Sequence, residues 1–338
     1  MSTPQNENVS LELNVGGELI TGLSEHRGHR FASYFVWPGL LVGALFFTWF
    51  GGQSGYPILS FYVVYIVFAL LIAGIERLMP HERLWLVDDH QSGANIAHTL
   101  LNKGVFPILA LVGASFGLAD AIQPEAGSVE GFWPGDWPMV LQVALALVAA
   151  EFGLYWAHRT GHEFQILWRF HAVHHSVTRL WFLNTGRFHY IDSFWSVLLS
   201  QPILFVMGAP AEVILWFSTI TAFIGMLTHC NIECRTGVLD YVFNTPHMHR
   251  WHHSKDLREG NTNYGENLLL WDQVFGTYFN EARRPSADIG IQTYMPPTFV
   301  GQMVHPFRKE QGVAVELTES LAGGGADAMV PALNEETS

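Results

Sequence analysis

The sequence predicts an all-α integral membrane protein with about four transmembrane helices, a re-entrant or interfacial helical hairpin, and a histidine-rich helical cap on the cytoplasmic side. Three observations predict this fold class. Only 14% of the 338 residues are charged and 49% are hydrophobic, whereas an ordinary soluble domain has about 25% charged residues. The 45 residues 31–75 contain no charge. Eleven of the 17 histidines lie between positions 158 and 253.

This composition excludes several classes of protein. The hydrophobic content excludes a disordered chain, and the presence of only two cysteines excludes a disulfide-rich scaffold. The net charge of −13 argues against a nucleic-acid-binding protein, which would present a basic face. A soluble all-α protein with buried apolar helices is the alternative fold, but the 45-residue uncharged run is too long for it.

The predicted transmembrane region, residues 31–157, is defined by its apolar runs. A helix needs about 20 apolar residues to cross the ~30 Å hydrocarbon core. The uncharged run therefore predicts two crossings, at 32–50 and 56–75. A shorter third stretch at 104–119 and a fourth at 137–157 complete the predicted set.

The remaining apolar region, residues 193–228, predicts a helical hairpin because Gly208-Ala209-Pro210 divides it. Its first arm, 193–207, has 15 residues, which is about 22 Å as a helix. This length falls short of the hydrocarbon core, so the hairpin is expected to be re-entrant or interfacial. In either case it returns His229 to the side from which the hairpin began.

The segments outside the crossings differ in character. Residues 1–30 form a polar N-terminal segment, and the histidine-rich region extends over 158–285 and includes the hairpin. Residues 286–338 form a C-terminal extension, which from about position 310 contains six acidic residues and no Lys or Arg. We expect this acidic tail to be disordered.

The basic residues predict the orientation. All 17 Lys and Arg fall in stretches on one side of the predicted crossings, namely 1–30, 76–103, 158–192 and 230–338. The opposite loops, 51–55 and 120–136, contain none. The positive-inside rule therefore places the basic stretches, and the histidine clusters with them, in the cytoplasm. The chain ends without a basic retrieval signal, which favours a bacterial inner membrane over the endoplasmic reticulum.

Three histidine clusters carry the functional signal. They are an HxxxH pair, His158 and His162, and two HxxHH motifs, His171, His174 and His175, and His249, His252 and His253. Spacings of three and four residues place side chains on one face of a helix, so each cluster can direct its imidazoles at one point. One tetrahedral zinc ion uses four ligands, or three and a water molecule. Eight clustered imidazoles therefore predict two metals, which in two-metal sites lie about 3.5–4 Å apart.

The order of these motifs resembles the fatty acid hydroxylase/sterol desaturase superfamily. Further similarity lies in Asn244-Thr245-Pro246 before the second HxxHH motif, in Arg187-Phe188-His189, and in the stretch 263–277 with its Asn-Tyr-Gly, Trp-Asp and Phe-Gly-Thr elements. The resemblance covers about 140–280 closely, and the preceding crossings fit the family only in layout.

The resemblance implies a histidine-ligated di-iron centre in an integral-membrane oxidoreductase. By motif, the eight clustered histidines carry over as ligands, and His229 is implied as a ninth. Candidates for supporting contacts around the ligands are Glu151, Asn184, His189, Asp192, Asn231, Glu233, His247 and Asp272. Glu233 follows His229 by four residues, so it is also considered as a carboxylate ligand. No catalytic residue beyond the metal centre is identified.

The implied activity is the O2-dependent oxidation of a C–H bond in a lipid, which gives either hydroxylation or desaturation. The sequence contains no flavin, haem or ferredoxin motif, so electrons are expected from an external reductase with a cytochrome b5-like or ferredoxin-like carrier. The substrate stays open among sterols, fatty acyl chains and other lipids. Gly113 and Gly117 form a GxxxG spacing, which is a weak indication of a homodimer.

Two alternative functions fit part of the sequence. A membrane zinc hydrolase would also use histidine ligands, and imidazole suits zinc as well as iron, so the isolated protein is expected to accept zinc. Hydrolysis, however, has little need for eight or nine imidazoles. A metal transporter would have ionisable residues along several crossings, but the first two predicted crossings contain none.

Overall fold

The structure is a computed structural model that describes residues 14–15, 18–19, 27–101 and 132–308. The third predicted crossing, 104–119, the Gly113–Gly117 spacing within it, and the acidic tail from about position 310 lie outside these residues. A two-stranded antiparallel ladder pairs β1 (Asn14–Val15) with β2 (Glu18–Leu19). All other regular structure in the described ranges is helical.

Five helices in the described ranges are long and apolar enough to cross a membrane, which makes the chain a multi-pass membrane protein. The first two are α1 (Arg27–Gly52) and α2 (Pro57–Leu78), and they confirm the helices predicted from the uncharged run. Pro57 begins α2, where its fixed φ angle suits the first turn and its missing N–H is not needed. The side chains of α1 and α2 pack in one core with Phe223 of a later helix.

The central helix of the fold is α4 (Met139–Glu163), preceded by the short helix α3 (Ser92–His98). Helix α4 has 25 residues and extends beyond the predicted crossing, so that its last two turns carry His158 and His162. Phe164 then interrupts the helical hydrogen bonds, and α5 (Gln165–His175) follows. The HxxxH pair and the first HxxHH motif are therefore placed on consecutive helices.

The apolar hairpin consists of α6 (Tyr190–Met207) and α7 (Ala211–Thr228), joined by Gly208 in the left-handed conformation with φ of 78°. Helix α6 begins three residues before the predicted arm, so that both helices have 18 residues. This length lies within the range of about 17–25 residues for transmembrane helices. The sequence-based length that suggested re-entry was too short, because the polar first turn at Tyr190 and Asp192 was not counted as helix.

Helices α4 and α6 pack against each other most extensively in the described fold. A Cβ atom at Gly153 would lie 2.1 Å from the carbonyl oxygen of Leu199, so only glycine permits this approach of the two backbones. The remaining helices are short and follow α7 in the chain: α8 (Pro246–His252), α9 (Leu257–Gly260), α10 (Leu270–Phe275) and α11 (Phe299–Val304). Helix α8 carries most of the second HxxHH motif, whereas α10 packs against α4 and α11 packs against α3.

Candidate metal centre

The nine histidines predicted as ligands converge into two groups of imidazoles. The first group consists of His158, His162, His171, His175 and His252, and the second of His174, His229, His249 and His253. In each group, one ring nitrogen from every histidine lies within 4.8 Å of the others. The two groups are adjacent, because the rings of His175 and His253 are stacked with centroids 4.5 Å apart.

Each HxxHH motif contributes to both groups. In α5, His171 and His175 point to the first group, whereas His174 points to the second. In the second motif the assignment is reversed: His249 and His253 belong to the second group and His252 to the first. The i, i+4 pair of each motif thus shares one group, and the histidine between them serves the other.

The Nε2 atoms of each group face one another. In the first group Nε2 of His175 lies 3.0 Å from Nε2 of both His162 and His171. In the second group Nε2 of His249 lies 2.9 Å from that of His229 and 3.0 Å from that of His253. A neutral imidazole offers one donor and one acceptor nitrogen, so three converging Nε2 atoms cannot all be satisfied by one another.

Two further Nε2 atoms, those of His158 and His252, are buried and have no hydrogen-bond partner among the described residues. Both rings anchor their other nitrogen on a backbone carbonyl. His158 Nδ1 lies 2.7 Å from the oxygen of Tyr264, and His252 Nδ1 lies 2.7 Å from the oxygen of Thr262. Because a carbonyl only accepts, Nδ1 must carry the proton, and Nε2 presents its lone pair to the group. This donor set fits a metal ion bound in the first group.

Two other imidazoles of these groups are oriented by side chains. His171 Nδ1 lies 3.0 Å from Oδ2 of Asp192, and His229 Nδ1 lies 2.9 Å from Oδ1 of Asn184. The structure therefore brings Asp192 and Asn184, two of the candidates for supporting contacts, against the histidine groups. Ligating histidines commonly donate their second N–H to such carboxylates and carbonyls, which fixes the ring orientation.

Two of the predicted acidic residues contact the loop beside the imidazoles and not the imidazoles themselves. Asp272 is fully buried and accepts hydrogen bonds from the backbone N–H groups of Tyr264 and Gly265, at 2.7 Å each. Glu151 accepts from both the backbone N–H and the side-chain amide of Asn267, at 2.9 Å each. Both carboxylates hold the loop whose Tyr264 carbonyl orients His158.

The other four candidates lie outside both histidine groups. His189 caps α6 by accepting from Ile191 N–H, and His247 pairs with Asn280. Asn231 donates to the carbonyl of Glu82 and accepts from its N–H. Glu233, considered above as a carboxylate ligand, lies 2.8 Å from His81 Nδ1 and is not part of either group.

The electrostatic environment favours the neutral form of the clustered imidazoles. Burial, together with the neighbouring imidazoles, lowers the pKa of five histidines outside the spanning helices well below the usual value of 6.5: His174, His175, His249, His252 and His253. Metal ions bind neutral imidazole and must otherwise displace a proton. The protein therefore holds these rings in their metal-binding protonation state at neutral pH.

Several contacts in the site were not identified from the sequence. The carbonyl of Arg187 lies 3.2 Å from His174 Nδ1, and Asn261 Oδ1 lies 3.1 Å from His162 Nδ1. Asn244 touches His249 and donates to the carbonyl of Gly265 at 2.6 Å. Arg187 and Asn244 both belong to motifs noted above, and this membership was the sequence signal that could have identified them. A contact made by a backbone carbonyl cannot be recognised in this way, because every residue type has one.

Comparisons with known proteins agree with this geometry. A family model described as fatty acid hydroxylase matches residues 143–277. This range contains all nine histidines of the two groups. The ornithine lipid hydroxylase OlsE of Rhizobium tropici is 50% identical over 289 residues, which cover 85% of this chain and 87% of that protein.

More distant relatives share the same region. The alkylglycerol monooxygenase of Xenopus tropicalis is 28% identical over 189 residues, covering 55% of this chain and 41% of that protein. The alkylglycerol monooxygenase of Homo sapiens is 31% identical over 147 residues, covering 43% of this chain and 32% of that protein. No solved structure matches the chain.

Proposed function

The chain belongs to the fatty acid hydroxylase family, and on this premise we propose that it is a di-iron hydroxylase of ornithine lipid in a bacterial inner membrane. The observation that carries the proposal is the convergence of nine imidazoles into two adjacent groups at the ends of spanning helices. The substrate is taken from the relative named ornithine lipid hydroxylase, because the identity extends over 85% of this chain.

The nine histidines are proposed as the ligands, five for one iron ion and four for the other. When bound, the two iron ions would use O2 and two external electrons to insert one oxygen atom into a C–H bond of the lipid, while the second oxygen leaves as water with two protons. The protein's own part is to hold the imidazoles in place, keep them neutral and exclude water. The burial of eight of the nine rings supports the last role.

The electrons are proposed to come from a reductase with a cytochrome b5-like or ferredoxin-like carrier that docks on the cytoplasmic face. His162 supports an entry point, because it is the one ligand that is partly exposed. Its ring lies beside Trp168, with centroids 5.2 Å apart. A carrier bound over Trp168 would therefore approach the first histidine group most closely. The homodimer predicted from Gly113 and Gly117 stays a prediction.

The substrate and the chemistry are tested together in reconstituted protein. The iron-loaded chain is placed in lipid nanodiscs that contain ornithine lipid, with a chemical reductant and O2, and the lipids are analysed by mass spectrometry. We expect a product that gains one oxygen atom and an equivalent consumption of O2. Turnover with zinc, without iron or O2, would instead support a membrane hydrolase. Oxidation of another lipid, with ornithine lipid unchanged, would refute the substrate but not the enzyme class.

The ligand assignment is tested by substitution within one short helix. His252→Ala removes a ligand of the first group, whereas His247→Ala removes a histidine that bonds Asn280 and lies outside both groups. We expect loss of bound iron and activity for His252→Ala, and near-normal iron content for His247→Ala, with both proteins still inserted in the membrane. Unchanged iron content in His252→Ala would refute the assignment.

A further inference from the structure

Helix α4 provides a scale for depth in the membrane. His158 in α4 belongs to the first histidine group, which adjoins the second group with His229 at the end of the spanning helix α7. Thr160, two residues further along α4, accepts a hydrogen bond at 3.0 Å from Nε1 of Trp195 in the second turn of the spanning helix α6. All three helices therefore reach the cytoplasmic boundary at the level of the histidines. Residues that precede His158 in α4 lie progressively deeper, by about 1.5 Å each.

The chain between Asn263 and Thr277 runs along α4 towards the bilayer centre and then turns back. Asn267 bonds to Glu151, and Trp271 Nε1 donates to the carbonyl of Val148 at 3.0 Å. Glu151 and Val148 precede His158 by seven and ten residues, which corresponds to about 10 and 15 Å towards the bilayer centre.

The part of the segment that turns back, Phe275 to Thr277, contacts Tyr155, which lies nearer the cytoplasmic end of α4. The ring of Phe275 stacks on that of Tyr155 at 5.3 Å, and Thr277 Oγ1 lies 3.0 Å from its hydroxyl. The segment thus enters and leaves on the same side of the membrane.

Irregular backbone at membrane depth is tolerated only where the protein satisfies its polar groups. Here the two buried carboxylates described above supply the acceptors: Asp272 takes the N–H groups of Tyr264 and Gly265, and Glu151 takes that of Asn267. The carbonyl of Asn267 accepts from Asn244 N–H at 2.9 Å. This hydrogen bonding accounts for two acids that would otherwise be costly at this depth.

The outer face of the segment is exposed and mainly apolar, and the amide of Gln273, which is also exposed, donates to the carbonyls of Tyr241 and Leu269. In α10, Val274 is 59% exposed, and Leu270 and Phe275 are 40% and 38% exposed. This face continues onto α4 through Phe152, which is itself 38% exposed and whose ring lies 5.0 Å from that of Trp271. Because Phe152 lies on a spanning helix, the exposed face of α10 is continuous with the lipid-facing surface of the bundle.

We infer that residues 263–277 form a re-entrant segment whose helix α10 lies among the lipid acyl chains of the cytoplasmic leaflet. The catalytic region therefore enters the membrane rather than resting on it. The inference stands on the position of the segment along α4 and is independent of the proposed substrate.

The depth of α10 is measured with a fluorescent label. Val274→Cys is labelled with a bimane maleimide in the full-length, metal-loaded protein, reconstituted in phosphatidylcholine vesicles. The native Cys230 and Cys234 are buried, and labelling of the parent protein measures their background. Arg258→Cys is the control, because its side chain is 89% exposed in the neighbouring helix α9.

We expect the label at Val274 to lose fluorescence when the acyl chains carry bromine and to resist aqueous iodide. The label at Arg258 should show the opposite behaviour. Leu270→Cys, on the same face, provides a second position if Val274→Cys does not insert. Quenching of the α10 label by iodide to the extent seen at Arg258 would overturn the inference.

Discussion

The contact between Asp192 and His171 offers a graded test of how the protein holds its metal. Asp192 Oδ2 lies 3.0 Å from His171 Nδ1, and the two side chains are only 7% and 3% exposed. Asp192→Asn keeps a hydrogen-bond acceptor but removes the charge, whereas Asp192→Ala removes both. We expect both variants to weaken metal binding in the first histidine group, the alanine variant more strongly.

The magnitude follows from the burial of this pair. Hydrogen bonds to a charged group contribute about 1.5–3 kcal/mol, and loss of an outer contact to a ligating histidine typically costs about 10- to 100-fold in metal affinity. These figures agree, since each tenfold step is about 1.4 kcal/mol. We therefore expect about tenfold weaker binding for Asp192→Asn and about 100-fold for Asp192→Ala.

The assay is competition between the protein and a soluble chelator, read as iron retained per chain under anaerobic conditions. Asp89→Asn is the matched control, because Asp89 is also largely buried but bonds to Arg179 at 2.9 Å instead of to an imidazole. The control should release iron at the same chelator concentration as the parent. Parent-like retention by Asp192→Ala would refute the reasoning, and an equal shift in Asp89→Asn would attribute the effect to general destabilisation.

Three further predictions concern stability. Gly153→Ala should lower the midpoint of thermal unfolding strongly, because the added Cβ would collide with the Leu199 carbonyl. Gly74→Ala is the control: the position has open space around it, so the substitution should be neutral or stabilising by up to ~1 kcal/mol. Equal midpoints for the two variants would contradict the close contact of α4 and α6. Asp272→Ala leaves the N–H groups of Tyr264 and Gly265 without their acceptor, and each unsatisfied group costs about 1–3 kcal/mol of stability. The variant should therefore have a lower midpoint of thermal unfolding and retain less iron. A normal midpoint would contradict the role of Asp272 in holding the loop. The metal-free protein should lose stability as the pH falls below 6.5, because the five histidines with lowered pKa take up protons more readily when unfolded, by up to about 1.4 kcal/mol per pH unit for each. Above that pH these groups are neutral in both states and contribute no slope, so identical unfolding midpoints at about pH 5 and about pH 7 would contradict the prediction.

The spanning helices could be predicted because they depend on a property that the sequence carries directly, the length of apolar runs. Helices α1, α2 and α4 correspond to predicted crossings. The start of α6 could not be read in this way, since its first turn contains Asp192, whose burial depends on a histidine in another helix. A polar residue at a helix start is compatible with a loop until its partner is known.

Eight of the nine histidines that converge could be predicted from their spacing, and His229 from the family resemblance, but their partition into two groups could not. Periodicity places His171, His174 and His175 near one face of a helix, and it does not say which of them meets His252. That pairing depends on how α5, α8 and α4 are oriented in space. The anchoring carbonyls of Thr262 and Tyr264 are further from prediction still, because any residue type supplies a carbonyl.

The exchange of histidines between the two HxxHH motifs has a consequence for how the metal centre assembles. Since α5 gives His174 to the second group and the α8 motif gives His252 to the first, each ion would tie both helices together. The first ion to bind would bear the entropic cost of fixing α5 against α8, and the second would find its ligands already placed. Loading should therefore be positively cooperative, and by reciprocity the loss of either ion should loosen the other. Partly metallated protein should then be rare, with empty and doubly loaded chains in its place.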